Sequence, residues 1–334
     1  MPDPSPVLFV VITILSLAFG FTNGINDAAN AIATVVGTRV LSPRAAVAMA
    51  SVFNFAGAAT GTAVAATIGK GLVDPASMSD GTLIAALVSI VIWGLLCTRF
   101  GLPISLSHGL VAALVGAAIA TAGIGEIQWD RLRTVLIAVA VAPILGFVGG
   151  FVFMTVIARV FRGSTPASMR NIFGNLQIVA GAFMAYSHGK NDGQMPIGMI
   201  TAGLVYYTGN QGYWDSIPLW IVSISALSIT LGTAIGGWRV IRTLGLKMTK
   251  LRPVHGFAAS TSAAGVIEAA SSLGIPVSTT HCMTSSIMGV GATRGLSAVR
   301  WGVAWSIVSA WILTFPACLG LGWLMGQIFS LIVS

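Results

Sequence analysis

FTNGINDAANAIAT, residues 21 to 34, carries one aspartate and three asparagines in the middle of an apolar run that extends from Val7 to Gly37. A straight helix needs about 20 apolar residues to cross a bilayer. This run is longer, so the polar cluster falls at membrane depth. A variant recurs as YSHGKNDGQMPIGM, residues 186 to 199. Asn23, Gly24, Asn26 and Asp27 align with His188, Gly189, Asn191 and Asp192, giving a shared core [N/H]-G-x-N-D. Two such insertions, one in each half of the chain, predict a site inside a membrane protein.

Composition agrees. With 55% hydrophobic residues, 8% charged residues and mean hydropathy +0.90, the chain reads as an all-α polytopic membrane protein and not as a soluble domain. Its 40 glycines suit close helix packing and helix breaks. Cys97, Cys282 and Cys318 lie in apolar runs without metal-ligand spacing, so the expectation is packing residues, with neither a disulfide framework nor a bound metal. The N-terminus has an apolar core with no basic region ahead of it, and is expected to be a retained first helix.

Apolar runs fall at 7–37, 45–69, 81–98, 104–125 and 133–158, then at 171–207, 217–238, 255–273, 276–293 and 299–332. Five runs in the first half turn the second half over relative to the first. Alternate loops hold Arg39, Arg44, Arg99, Arg159, Arg162, Arg170, Arg239, Arg242, Lys247, Lys250, Arg252, Arg294 and Arg300, and no acid. The opposite loops, with the N-terminus, contain Asp3, Lys70, Asp74, Asp80, Glu126, Asp130, Arg131, Arg133 and Asp215. The net charge of +8 therefore reports orientation and not a nucleic-acid partner: the basic loops are cytoplasmic and both termini lie outside.

A second motif repeats in the same order. GLPISLSH, residues 101 to 108, aligns with GIPVSTTH, residues 274 to 281, at an offset of 173 residues, and Gly116 then falls opposite Gly289. Together these patterns predict two inverted-topology repeats, residues 1–162 and 171–334, with helices broken at the ND motifs. Hydropathy leaves open whether the segments near 81–125 and 255–293 cross or turn back.

An aspartate at the bilayer centre costs about 2.5–3.5 kcal/mol on insertion scales, so Asp27 and Asp192 are functional-site candidates. On a helix, Asn23, Asp27, Asn30 and Thr34 share one face, with Asn26 beside them. In the second motif, Gly and Pro end one helix, and the serine that follows can cap a new one whose free N–H groups favour an anion. Ser105, Ser107, Ser278, Thr279 and Thr280 thus become donor candidates for an oxyanion. Phosphate near neutral pH keeps a P–OH that a carboxylate can accept, whereas sulfate does not; the same carboxylates could hold sodium or take up a proton. His108, His188 and His281 lie near the motifs as proton relays or neutral hydrogen-bonding groups. Lys190 stands where it would neutralise Asp192 or the anion, or face water at a break, and Glu268 is a candidate for coupling.

At GINDAANAIATVVGTRVLSP (residues 24 to 43), HGKND (residues 188 to 192) and the two P-x-S-x-[S/T]-H segments, the sequence resembles the inorganic phosphate transporter (PiT) family of cation-coupled symporters. The resemblance spans essentially the whole chain and implies uptake of inorganic phosphate, alone or as a metal phosphate, across the cytoplasmic membrane with H+ or Na+. It further implies a homodimer embedded in lipid, with no cofactor beyond the coupling ion. Asp27, Asp192, Asn23, Asn26, Asn191, Ser105, Ser107, Ser278, Thr279 and Thr280 are then the expected phosphate-binding residues, and Asp27, Asp192, Asn30 and His188 the expected cation ligands. The sequence departs from the family after Asp192, where Gly193, Gln194, Met195 and Pro196 follow. The rivals are a symporter of sulfate or arsenate, a passive channel, and a membrane-embedded hydrolase. The hydrolase lacks a visible metal-ligand or nucleophile motif, so the chain is not expected to be an enzyme.

Overall fold

The computed structural model describes residues 5–75 and 77–333. Asp3, counted above with the acidic loops, lies outside them, and of Lys247 only the backbone is described. Among the described residues the chain is helical, with one isolated bridge between Val73 and Ile127 and no strand.

The element order runs twice through one pattern. A long helix, α1 (Pro6–Gly37), is followed by a bent pair, α2 (Pro43–Ala58) and α3 (Ala63–Lys70), angled at 69°. A helical hairpin, α4 (Asp80–Phe100) and α5 (Leu106–Thr121), comes next, and α6 (Trp129–Val160) closes the series. The second series is α7 (Pro166–Asp192) with α8 (Gln194–Thr208), then α9 (Leu219–Ile235) with α10 (Trp238–Arg242). The hairpin α11 (Pro253–Ser272) and α12 (Thr279–Ala292) follows, and α13 (Trp301–Val333) ends the chain. The α9/α10 pair bends by 60°. All ten apolar runs of the sequence are thus occupied by helices. Among the described residues, four helices are long and apolar enough to cross a membrane, or up to six when each bent pair counts as one span.

Local chemistry sets the hairpins. At both tips a glycine takes a left-handed backbone, Gly101 at φ 71° and Gly274 at φ 69°, which side chains disfavour. Proline follows two residues later in each. Ser105 then caps α5 by accepting from His108 N at 3.2 Å, and Ser278 caps α12 by accepting from His281 N at 3.1 Å. The tips reach opposite bends: Thr67 of α3 donates to Gly274 O at 2.7 Å, while Arg239 of α10 donates to Arg99 O beside Gly101.

One expectation needs correction. The first ND motif does not break its helix: α1 runs unbroken through Asn23–Asp27. Gly24 serves instead to bring α1 against α9, because a Cβ there would overlap the Ile229 carbonyl. Gly189 does the same for α7 against the Asn54 carbonyl of α2. Only the second motif lies at a helix junction, where α7 ends at Asp192 and α8 begins at Gln194. Pro196 explains it, since it has no N–H to return to the Asp192 carbonyl.

Candidate functional site

α1 and α7 bring the two ND motifs together, and the N-termini of α5 and α12 close on them. Asp27 is 2% exposed and Asp192 fully buried. Ser107 Oγ donates to Asp192 Oδ1 at 3.0 Å, and Thr279 Oγ1 donates to Asp192 Oδ2 at 3.1 Å. Asn191 Nδ2 donates to Oδ1 at 2.5 Å, and Asn23 Nδ2 reaches Oδ2 at 3.5 Å. Asp27 Oδ1 accepts from Thr280 Oγ1 at 3.0 Å, and Asn30 Nδ2 donates to Thr280 and Thr279 at 2.9 and 3.2 Å.

His188 completes the cluster. Thr233 donates its hydroxyl to Ile229 O, so it accepts from Asn54 Nδ2 at 2.9 Å, and Asn54 Oδ1 is left facing His188 Nδ1 at 2.8 Å. The imidazole therefore donates from Nδ1. Its Nε2 lies 3.2 Å from Asp192 Oδ2 without the alignment of a hydrogen bond. Ligand atoms of Asp27, His188 and Asp192 all fall within 4.8 Å of one another, and the side-chain oxygens of Asn23 and Asn30 are buried without a partner. Two carboxylates, an imidazole lone pair and unsatisfied amide oxygens form a set able to hold a cation. The free N–H groups at the starts of α5 and α12, with Ser107, Thr279 and Thr280, form a set able to hold an anion.

A sequence model of the phosphate transporter family matches residues 23–322, which takes in both ND motifs and both hairpins. The chain belongs to this family. A family member from Bacillus subtilis (strain 168), named a probable low-affinity inorganic phosphate transporter, is 41% identical over 318 residues, 95% of each chain. One of the same name from Rhizobium meliloti (strain 1021) is 43% identical over 311 residues, 93% of each. A solved structure described as the sodium-dependent phosphate transporter matches with a TM-score of 0.89 at 27% identity, covering 98% of this chain and 100% of that one. The family members are transporters and not enzymes.

Several expected site residues also hold neighbouring elements in place. Asn26 ties α1 to the first hairpin, donating to Thr98 Oγ1 at 2.8 Å and to Leu102 O at 3.4 Å. Asn191 does the same for the second hairpin, donating to Val277 O at 2.8 Å and accepting from Ser271 Oγ at 3.2 Å. The Ser105 and Ser278 oxygens are helix caps. His108 and His281 make no hydrogen bond through any ring nitrogen; their rings pack edge to face at 5.1 Å, and His281 lies 3.9 Å from the Trp311 ring. Lys190 pairs with Glu268 and not with Asp192.

Sequence reasoning missed Asn54, Thr98, Ser271 and Gln194. Gln194 Oε1 caps α3 from a distance, accepting from Val64 N at 2.8 Å and Ala65 N at 3.2 Å. Thr98 and Ser271 had a usable signal: they are equivalent at the hairpin offset of 173.

Proposed function

We propose that this chain is a secondary active transporter that takes up inorganic phosphate by symport with a cation, Na+ or H+, across the cytoplasmic membrane. The two series of helices would be repeats of opposite orientation, 1–162 and 171–334, with the basic loops cytoplasmic and both termini outside. The observation that carries the proposal is the double use of three hydroxyls. Ser107, Thr279 and Thr280 stand at helix N-termini suited to phosphate, yet they donate to Asp192 and Asp27.

A hydroxyl has one proton to donate. While the carboxylates are bare, they take it and the anion site is occupied from within. A cation on Asp27 and Asp192 offsets their charge and releases the hydroxyls to phosphate oxygens. Each ligand then favours the other by the same factor, which is the thermodynamic content of coupling. The unpartnered amide oxygens of Asn23 and Asn30 support Na+, a hard cation that takes oxygen ligands. A proton would need only the carboxylates.

Proteoliposomes under an imposed sodium gradient, and separately under a proton gradient, test this. Uphill accumulation of labelled phosphate is expected with sodium, and the Asp27→Asn and Asp192→Asn variants should lose it. Uptake driven by the proton gradient alone would assign H+; uptake unchanged in both variants would remove the aspartates from the mechanism.

A further inference from the structure

Lys190 lies two residues before Asp192, but its side chain points to a different partner set. Its ammonium is ion-paired with Glu268 on α11 and donates to Ser272 Oγ at 3.3 Å. The pair is partly open, with the side chains 17% and 28% exposed, and Glu268 Oε2 has no hydrogen-bond partner. Beside it lies the exposed bend between α2 and α3: a Cβ added at Gly61 would come 3.9 Å from Lys190 Cε. The bend itself is polar, with Thr60 bonded to the Tyr186 hydroxyl at 2.9 Å.

The two halves of the chain differ at this pair. Asn26 and Asn191 each clamp a hairpin through one hydroxyl at equivalent positions, Thr98 as acceptor in one and Ser271 as donor in the other, and through one carbonyl near the tip, Leu102 and Val277. At the same offsets of 165 and 173 residues, the positions of Lys190 and Glu268 are filled in the first half by Ile25 and Leu95. The clamp is therefore complete without an ion pair. Desolvation offsets much of what such a pair gains, and this one leaves a carboxylate oxygen unsatisfied, so its net contribution to stability is small.

We propose that Lys190 is the entry site for the oxyanion and Glu268 its placeholder. An incoming phosphate displaces the Glu268 carboxylate from the Lys190 ammonium, a point charge suited to phosphate. Glu268 turns toward its exposed side. The exchange also cuts one tie between α7 and the second hairpin, next to the Asn191 and Asp192 contacts that hold the hairpin tip. This rests on the phosphate reading above.

The test is binding of inorganic phosphate, and separately of sulfate, to the purified full chain by calorimetry, for wild type, Lys190→Met, Glu268→Gln and the double variant Lys190→Ile/Glu268→Leu. Exchange predicts opposite shifts: about tenfold weaker binding in Lys190→Met, the scale of one charge-assisted hydrogen bond, and about threefold tighter in Glu268→Gln, the scale of one ordinary hydrogen bond. The double variant, which copies the first half, should be as weak as Lys190→Met, and it reads the loss even where a single variant fails to fold. Shifts in the same direction, or none, mark a purely structural pair and overturn the proposal. Opposite shifts seen with sulfate but not phosphate would keep the entry site and overturn the phosphate reading. Absence of binding by either oxyanion overturns both.

Discussion

Asp192 accepts two donors on each carboxylate oxygen, from Ser107 and Asn191 on one and from Thr279 and Asn23 on the other. Asp27 accepts from Thr280. The two aspartates should therefore answer the same substitution differently. In Asp192→Asn, either orientation of the new amide turns its NH2 toward two donors, and leaving such buried groups unsatisfied costs about 1–3 kcal/mol. Melting of the purified protein should show that loss for Asp192→Asn and much less for Asp27→Asn, although both abolish coupled uptake. A second residue-scale outcome concerns Asn54, which fixes the His188 tautomer through Nδ1. Asn54→Ala should weaken the cation dependence of uptake about tenfold, the usual size of an outer-shell effect on a metal site, with phosphate saturation at high cation little changed. The aspartates were legible in the sequence because a charge in an apolar run has few structural excuses. Asn54 was not, because a single asparagine between helices is as often a packing contact as a functional one.

Glycine decides how the elements approach. Gly24 lies against the α9 backbone and Gly189 against that of α2, so the glycine of each ND motif sets the crossing of a site helix with a bent one. Gly24→Ala or Gly189→Ala forces those backbones apart and should cost about 1–3 kcal/mol, read as a lower melting temperature in detergent. Substitution of exposed Gly163, which meets nothing within 4 Å, provides the contrast. The same residues show where sequence reasoning stopped. A glycine beside asparagine and aspartate suggests a break, and it is a break only where Pro196 follows; close approach of a second helix leaves no trace in local sequence. The hairpin tips were readable because Gly, Pro and Ser there each do a local job, namely reversing the chain, ending a helix and capping the next.

At the level of the whole molecule, the repeated order of elements joins both halves in one site: α1 and α12 supply the Asp27 contacts, while α5, α7 and α12 surround Asp192. The opposite orientation proposed for the halves has a direct check. Tags at the N-terminus and C-terminus should both be cleaved by protease added outside intact cells, and a tag in the loop carrying Arg159 and Arg162 should be protected. A protected terminus would refute the topology. The expected sidedness rests on charge alone, through the sorting of basic residues between loops, whereas which hairpin tip meets which bent helix leaves no mark in the sequence, because it depends on contacts such as Thr67 with Gly274.

The hydroxyl bonds to Asp27 and Asp192 also bear on the empty carrier. Under the proposed symport, with neither ligand aboard Asp192 keeps its four donors and Asp27 keeps Thr280, so the unloaded protein would make its return stroke without stranding two bare charges. With the cation alone aboard, the three hydroxyls lose their acceptors and the half-loaded state is penalised. Under the proposed symport, slippage, the passage of one ligand without the other, would thus be suppressed by the hydrogen bonds of three side chains. Ser107→Ala or Thr279→Val should raise cation leak relative to phosphate uptake, measured as the ratio of the two fluxes in the same vesicles.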